Sequence, residues 1–395
     1  MQYRADITVL CKVVDNYGDI GFVYRLCRAL SGLSFPPRIR LITDNLISFS
    51  QIAPGILPDK SVQQFNGWTV YNWNASEAAS AAFAADPPDT ILECFQCGRP
   101  QWLEDLLFTA GVKNIVHIIN IDYLTAESYA DDFHCLQSLT RSARVQKVNF
   151  MPGFAAKTGG LVLDTPFMQY ASDADAARKA LAPYVPELAG ADTSGFAVTV
   201  FSYERDFAPV VQALERFYTT QQKDLHVYAA AGRGLQSFLA AWDSAGRPFP
   251  VTQLPFMPQT VWDAVLCISS FSFIRGEDSL SRACLAGVPF VWHAYPQDNE
   301  YQKVKVQALL DRMRPFFSSE DDALLERYWL SYNTTESLQT GTDTNITPEK
   351  PSDVLYALLS RTGVLKQGFS AFSQSLVKNG DLAEHLLTYI ASQKS

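Results

Sequence analysis

A charged turn between two apolar runs is the part of this sequence best suited to chemistry. Residues 275–279 follow the apolar run 271–274 and precede a helical run. This order predicts a strand, a turn and a helix, and doubly wound α/β sheets bind ligands at such turns. Exposed backbone N–H groups at a helix amino terminus favour phosphate. Arg275 adds a cation, whereas Glu277 and Asp278 add carboxylates, so the turn predicts a phosphorylated ligand on which a reaction is carried out.

A second turn of this kind follows the first apolar run, residues 5–14. Residues 15–21 contain two carboxylates, Asp15 and Asp19, and no basic residue. Two carboxylates disfavour phosphate, but they suit a catalytic base. The structural alternative for Asp19 is a cap on a helix that begins at Ile20.

Composition and charge narrow the class of protein. A chain of 395 residues predicts two domains. The net charge of −9 argues against nucleic-acid binding and mildly favours a basic protein partner. Asp6 and Lys12 interrupt the first apolar run, so no signal peptide is evident. No apolar run reaches the length of a membrane span. We therefore expect a cytoplasmic protein that binds neither nucleic acid nor membrane.

The cysteines and histidines do not predict a metal site. Cys94 and Cys97 form a single C-x-x-C pair, without the second pair or nearby histidines that a zinc or redox motif needs. The simpler interpretation is two reduced cysteines at the end of a strand.

Strand-like and helix-like segments alternate along both halves of the chain, which predicts parallel sheets covered on both faces. The predicted strands are 7–14, 39–42, 90–94, 114–121, 147–151, 196–201, 225–229, 251–254, 271–274 and 290–292. The predicted helices include 75–85, 175–182, 209–218, 260–266 and a long helical stretch, 369–390. Residues 339–353 are polar and predict a surface loop.

The predicted fold class is α/β, with two Rossmann-like domains that face each other across a cleft, as in GT-B glycosyltransferases. We place an N-terminal domain with the catalytic base at 1–180 and a donor domain at 190–362. C-terminal helices at 363–395 would pack back on the N-terminal domain. Some dehydrogenases, epimerases and binding proteins are also built this way, so the architecture alone does not decide the function.

Several stretches together resemble one family. They are residues 15–21, 120–127, 150–154, 158–160, 201–204, 275–279 and 290–297. In these the chain resembles the protein-arginine rhamnosyltransferases that modify bacterial translation elongation factor P. The resemblance implies a GT-B fold, dTDP-β-L-rhamnose as donor substrate, inversion at the anomeric carbon and no metal or other cofactor. It also implies elongation factor P as the protein acceptor, which the modification activates to relieve ribosome stalling at polyproline.

The sequence departs from that family at two places. Trp262 stands where we expect phenylalanine or tyrosine, and an indole can also stack on a pyrimidine. Phe256, in the preceding loop, is the other stacking candidate. Residues 164–195 match poorly, which indicates a linker or an insertion.

The resemblance also assigns catalytic roles. A guanidinium has a pKa above about 12, so an arginine acceptor cannot lose its proton freely at neutral pH. Asp19 would orient it and take the proton as the bond forms. Asp15 would hold the acceptor or order the turn. Glu277 would bind sugar hydroxyls or polarise the acceptor, unless it is an ordinary glutamate of a first helical turn.

A larger set is expected to bind the donor. Arg275, Ser279 and the backbone N–H of Asp278 would hold the diphosphate, Tyr203 would reach a phosphate, and Gln259 would bind the pyrimidine edge. The expected donor-binding residues are Asn16, Tyr17, Gly18, Phe201, Tyr203, Phe256, Gln259, Trp262, Arg275, Glu277, Asp278 and Ser279. Structural alternatives remain: a helix cap for Asp278, a half-buried aromatic for Tyr203 and a helix-face core residue for Trp262.

Three other functions fit the same sequence features. They are a nucleotide-sugar epimerase, a nucleotide-binding regulator without catalysis, and a glycosyltransferase for small molecules. A protein acceptor would dock on the N-terminal domain, where Asp122 and Glu127 add negative charge for a cationic arginine loop.

Overall fold

The computed structural model describes residues 5–14, 17–190, 195–221, 224–334 and 349–393. Contacts divide the chain into two compact units. Unit 1 consists of Met1–Thr165 and Leu376–Ser395, and unit 2 consists of Pro166–Ser375. Within the described residues, none of the helices is both long enough and apolar enough to cross a bilayer.

Unit 1 is built on an eight-stranded sheet. Its strands are β1 (Asp6–Cys11), β2 (Arg38–Thr43), β3 (Val62–Phe65), β4 (Trp68–Asn72), β5 (Thr90–Cys94), β6 (Val116–Ile121), β7 (Gln137–Ser138) and β8 (Val145–Phe150). They lie in the order β3-β4-β2-β1-β5-β6-β8-β7. Only the edge pairs β3–β4 and β7–β8 are antiparallel among these strands. Without the two edge strands, this is the doubly wound order, which reverses between β1 and β5.

The central strands of unit 1 are apolar on both faces because helices cover both. Successive residues of β1 contribute to different cores: Val9 packs on one side of the sheet and Leu10 on the other. The helices of this part of the chain are α1 (Gly18–Gly32), α2 (Leu46–Ile52), α3 (Ser76–Ala85), α4 (Gln101–Glu104) and α5 (Tyr129–Phe133). α4 continues into a π-helical turn, Asp105–Thr109.

Unit 2 has a five-stranded sheet in which every pair is parallel. Its strands are β9 (Phe196–Val200), β10 (Leu225–Ala230), β11 (Val251–Leu254), β12 (Phe271–Arg275) and β13 (Phe290–His293). Their order is β11-β10-β9-β12-β13. This is again the doubly wound order, with its reversal between β9 and β12.

Helices connect and cover the strands of unit 2. They are α6 (Thr165–Ser172), α7 (Ala174–Leu181), α8 (Pro186–Ala189), α9 (Ala208–Gln221), α10 (Leu235–Ser244), α11 (Gln259–Ile268), α12 (Glu277–Ala286), α13 (Tyr301–Met313), α14 (Ser319–Tyr332), α15 (Pro351–Ser360) and α16 (Thr362–Lys378). Two of them, α6 and α8, lie in the stretch predicted as a linker with one helix. Most of the predicted polar loop, 339–348, lies outside the described residues.

The last helix, α17 (Leu382–Ser392), belongs to unit 1. Leu382, Leu386 and Ile390 are buried in the same apolar core as Ile20 and Val23 of α1. The predicted helical stretch 369–390 is therefore wrong as a single helix. Gly380 adopts a φ of +90°, and the carboxylate of Asp381 caps α17 by accepting from the N–H of Ala383. The glycine ends one helix and the aspartate begins the next.

Candidate active site

The turns after β9 and β12 lie side by side at the point where the strand order of unit 2 reverses. Gly276 begins the second turn with φ 74° and ψ 161°, a conformation that residues with a Cβ avoid. The helix α12 starts at Glu277 immediately afterwards. Residues 276–279 thus turn sharply from strand to helix, which places the amino end of α12 at the edge of the sheet.

The guanidinium of Arg275 lies over two aromatic rings. It is 4.6 Å from the ring centroid of Phe201 and 4.7 Å from that of Tyr203. A Cβ added to Gly232 would lie 3.3 Å from Nη2 of Arg275, so the guanidinium is also enclosed by the backbone after β10. These contacts hold a planar cation in one orientation, as bidentate binding of a phosphate requires.

Two hydrogen bonds tie α11 to the first turn of α12. Nε2 of Gln259 donates to Oδ2 of Asp278 (3.0 Å), and Nε1 of Trp262 donates to Oγ of Ser279 (3.2 Å). Trp262 also packs edge-on against Phe201, with 5.0 Å between the ring centroids. The Trp262 side chain is half-buried: it borders the turn and also packs against the apolar core beneath α11.

The structure thus brings together seven of the residues expected to bind the donor. They are Phe201, Tyr203, Gln259, Trp262, Arg275, Asp278 and Ser279. Glu277 is half-buried in the first turn of α12. Phe256 lies in the loop before α11, and its side chain is 52% exposed.

Two aromatic residues at the carboxyl end of β13, His293 and Tyr295, complete this cluster and were not predicted as site residues. Tyr203 packs edge-on against His293 (5.3 Å between centroids) and Tyr295 (5.5 Å). Nδ1 of His293 forms a hydrogen bond with Oγ of Ser202 (2.8 Å). Burial, and then the positive charges of Arg205 and Arg275, lower the pKa of His293 to about 3. His293 is therefore neutral at physiological pH and adds no positive charge to the site.

Gly234 was also missed, although it follows a predicted strand. Its N–H donates to the carbonyl of Ser202 (3.1 Å). A Cβ at this position would lie 2.6 Å from that oxygen and 2.7 Å from the carbonyl oxygen of Tyr203. A side chain cannot fit, so the glycine is what allows the start of α10 to approach the turn after β9.

Asp19 lies at the corresponding reversal point of unit 1, after β1. It is in the first turn of α1 and is only 3% exposed. Its Oδ2 accepts from the N–H of Val14 (2.7 Å), and its Oδ1 lies 3.5 Å from the hydroxyl of Tyr123. Because α1 begins at Gly18 with Tyr17 at the cap position, Asp19 does not cap the helix; it closes the preceding turn instead.

The remaining residues expected at the first turn are placed as follows. Asp15 and Asn16 lie outside the described residues. Tyr17 is partly buried, and its hydroxyl donates to Oε1 of Gln51. Gly18 is the first residue of α1. Tyr17 and Gly18 therefore lie beside Asp19 in unit 1, whereas the expected donor-binding residues from Phe201 to Ser279 are in unit 2.

The C-x-x-C pair is reduced. All seven cysteines are free of disulfides. Burial raises the pKa of the Cys97 thiol to about 12, with the nearby charge of Glu93 adding to the effect, and burial also raises the pKa of Cys94. Within the described residues, no group of three or more histidine, cysteine, aspartate or glutamate side chains could hold a metal ion.

Two doubly wound α/β units, each with charged or polar side chains at its reversal point, are the architecture of the GT-B fold. A solved structure that explains EarP-mediated arginine glycosylation of translation elongation factor EF-P covers 98% of this chain and 99% of its own, with a TM-score of 0.61 and 20% identity. A glycosyltransferase from Rickettsia africae has the same fold, with a TM-score of 0.51, 9% identity and coverage of 99% and 98%.

Structural similarity shows the fold, whereas sequence comparison shows the family. Residues 7–391 match the family described as Elongation-Factor P (EF-P) rhamnosyltransferase EarP, and the chain belongs to that family. The protein-arginine rhamnosyltransferase of Pseudomonas putida is 30% identical over 345 residues, with coverage of 84% of this chain and 87% of its own. The protein-arginine rhamnosyltransferase of Shewanella oneidensis is 29% identical over 361 residues, with coverage of 82% and 89%.

Proposed function

We propose that this protein transfers L-rhamnose from dTDP-β-L-rhamnose to an arginine side chain of translation elongation factor P, with inversion and without a metal ion. The observation that carries the proposal is the family match over residues 7–391. The two sets of side chains at the reversal points of units 1 and 2 provide the chemistry that such a transfer needs.

In this proposal unit 2 holds the donor. Arg275 and the first-turn N–H groups of α12 hold the diphosphate and stabilise the negative charge that develops on the leaving group. Trp262 and Phe201 border the turn and provide an aromatic surface for the pyrimidine. Nε2 of Gln259 donates to Oδ2 of Asp278, which places the amide beside the same turn, where it would meet the edge of the base.

Asp19 is the proposed base. Its carboxylate is held by the N–H of Val14 through Oδ2, and the hydroxyl of Tyr123 lies 3.5 Å from Oδ1, so its position in the turn is fixed from both sides. A fixed carboxylate at this position hydrogen-bonds one guanidinium nitrogen, localises the positive charge away from it and takes its proton as the C–N bond forms. Asp15 would help to hold the acceptor, and Glu277 would bind sugar hydroxyls.

The acceptor is proposed to dock on unit 1, around Glu127 and the first turn of α1. Glu127 is half-buried and accepts from the hydroxyl of Thr125 (3.0 Å). A net charge of −9 would steer a locally basic partner towards the enzyme. Because the proposed acceptor is a translation factor, we also place the protein in the cytoplasm, where the modification would relieve stalling at polyproline.

The test is to incubate the protein with dTDP-rhamnose, with and without elongation factor P, and to analyse both products by mass spectrometry. We expect one rhamnosyl group on an arginine of the factor and release of dTDP. Conversion of the nucleotide sugar without any acceptor would instead indicate an epimerase. If neither dTDP-rhamnose nor elongation factor P changes, the proposal is refuted, and a nucleotide-binding protein without catalysis becomes the better interpretation.

Asp19→Asn tests the base, with Asp44→Asn as a matched control. The two carboxylates accept from neighbouring backbone N–H groups: Asp19 from Val14 (2.7 Å) and Asp44 from Val13 (2.9 Å). Loss of a general base costs about 10²–10⁴ in rate. We expect this loss in Asp19→Asn only, with dTDP affinity unchanged in both variants. If the transfer rate falls equally in the two variants, Asp19 has only a structural role in the turn.

A further inference from the structure

The segment after β5 contains two consecutive residues with left-handed backbone conformation. Phe95 has a φ of +58° and Gln96 a φ of +53°, although neither is a glycine. Residues with side chains rarely adopt this region, and they remain there only where the surrounding structure enforces it. Since β5 is the strand next to β1 at the reversal point of unit 1, this segment lies beside the turn that carries Asp19.

Every backbone N–H of this segment has a partner. Phe95 donates to the carbonyl of Ile121 (2.7 Å), Gln96 to Oδ1 of Asn120 (3.2 Å), Cys97 to the carbonyl of Cys94 (3.2 Å), and Gly98 to Oε1 of Glu93 (3.1 Å). Two of these acceptors are buried side chains: Asn120 is fully buried and Glu93 is 3% exposed. Such a set of bonds determines the path of the backbone and therefore the direction of the Phe95 ring.

The two buried acceptors are themselves fixed. Nδ2 of Asn120 donates to Oδ1 of Asn149 on the next strand (3.1 Å). Glu93 forms ion pairs with Arg99 (2.6 Å) and Lys147 (3.2 Å). The polar groups at the carboxyl ends of β5, β6 and β8 thus form a framework beneath the strained segment.

The conformation places the Phe95 ring between two others. Phe22, on α1, lies at 5.3 Å between centroids, and Tyr123 stacks on Phe95 at 4.4 Å with 19° between the ring planes. The carboxylate of Asp122 links the same two segments, because it accepts from the N–H of Tyr123 (2.8 Å) and from Nε2 of Gln96 (3.3 Å). The consequence is that the Tyr123 hydroxyl stands 3.5 Å from Oδ1 of Asp19.

We propose that Tyr123, held by Phe95, is a positioning residue for Asp19 in the transfer to the acceptor. Its hydroxyl stands beside Oδ1 and limits rotation of the carboxylate, so that Asp19 keeps the orientation in which it meets the guanidinium. This inference rests on the proposed role of Asp19 as the base. The proposal also gives the strained segment, residues 95–98, a role, which is to hold Tyr123 in place.

The hydroxyl of Tyr123 is the group that the structure places beside Asp19, and the stack with Phe95 holds it there. At 3.5 Å the two oxygens lie farther apart than in a typical O–H···O hydrogen bond of about 2.5–3.0 Å, so the hydroxyl acts through its position. Phe95→Tyr keeps the stacked ring and should retain a kcat within about threefold of the wild type, whereas Tyr123→Phe removes the oxygen beside Asp19 and should lower kcat. Tyr123→Leu removes the stacked ring at a position that is 40% exposed, so the fold should tolerate it.

Tyr123→Leu should lower kcat for the protein acceptor by about 10–100-fold, because a small misplacement of a catalytic group has effects of that size. The KM for dTDP-rhamnose should stay within twofold. Phe95→Gly should behave in the same way, since glycine accepts the left-handed backbone but lacks the ring. Tyr184→Leu is the matched control: Tyr184 is also 40% exposed, lies in unit 2, and should show wild-type kinetics.

A second measurement does not depend on activity. The N–H of Val14 donates to Oδ2 of Asp19, so its hydrogen exchange reports whether the carboxylate stays in place. In Tyr123→Leu we expect exchange of this amide to rise about tenfold, and in Phe95→Tyr to remain unchanged. Unchanged Val14 exchange in Tyr123→Leu would overturn the proposal, whether or not kcat falls. If the wild type transfers no rhamnose, the proposed function fails, and the exchange measurement still decides whether Tyr123 positions Asp19.

Discussion

Replacement of Arg275 should weaken binding of dTDP, and the structure indicates by how much. A charge-assisted hydrogen bond to a phosphate is worth about 1.5–3 kcal/mol. With about 1.4 kcal/mol per tenfold change in affinity, Arg275→Ala should bind dTDP roughly 10–150-fold more weakly. The Phe201 and Tyr203 rings contact the guanidinium from within the protein, so they orient it, and the difference in affinity comes from the bond to the phosphate.

Arg275→Lys separates charge from geometry. Lysine retains the positive charge but lacks the planar group that rests between Phe201, Tyr203 and Gly232. We therefore expect an intermediate loss, about tenfold, that becomes larger as salt screens the remaining point charge.

Isothermal titration calorimetry of dTDP at two salt concentrations measures both effects, and Arg216→Ala provides the control. Arg216 also lies over an aromatic ring, 4.0 Å from the centroid of Tyr356, and forms an exposed ion pair with Asp353 (2.9 Å). Its loss should leave dTDP affinity unchanged. If both Arg275 variants bind dTDP as tightly as the wild type, the diphosphate does not bind at the turn after β12.

Three further predictions test other parts of the molecule. Trp262→Phe should keep dTDP affinity and Trp262→Ala should lose about 1 kcal/mol of it, because an aromatic pair contributes roughly 0.5–1.5 kcal/mol; equal calorimetric affinities would make Trp262 purely structural. His293 is neutral in the folded protein, since its pKa is lowered to about 3, but takes up a proton in the unfolded chain below about pH 6.5. It therefore destabilises the fold as the pH falls from about 6.5 towards 3, by about 1.4 kcal/mol per pH unit for one proton. His293→Asn should show a smaller drop in Tm between pH 7.5 and pH 4.5 than the wild type, and an identical drop would contradict this reasoning. Glu127→Lys should raise KM for the protein acceptor at low salt without changing dTDP affinity, and unchanged acceptor kinetics would place the docking surface elsewhere.

Central strands were predicted well because burial on both faces leaves long apolar runs. The central strand Thr90–Cys94, in which every residue is buried, was predicted with the same bounds as the structure has. The edge hairpin of β3 and β4 was missed. β3 has only one buried residue, Phe65, among polar neighbours, so it lacks the apolar run by which the central strands were recognised.

Part of the cluster around Arg275 was predicted because apolar runs also show where the strands of unit 2 end. Residues that follow apolar strands directly, such as Tyr203 and Arg275, can be assigned to one sheet edge from sequence. Gly234 could not, because its importance depends on a carbonyl that comes from a different strand and lies 2.6 Å from where its Cβ would be. Likewise, the stacking of Tyr123 on Phe95 joins residues that follow two different strands. The sequence of neither strand contains a periodic pattern that would predict this contact.

Unit 1 is not continuous in sequence, and this affects the order in which the two units can fold. The core beneath α1, the helix that carries Asp19, includes Leu382 and Leu386 of α17. Leu161 pairs with Asp381 in an isolated bridge, and Asp381 also accepts from the N–H of Leu163. The core beneath the turn with the proposed base is therefore complete only after residues 381–392 have been synthesised. Unit 2, by contrast, is one uninterrupted stretch and can fold earlier. A chain shortened before Leu382 would retain every residue of the proposed donor site in unit 2 but lose the support beneath its proposed base.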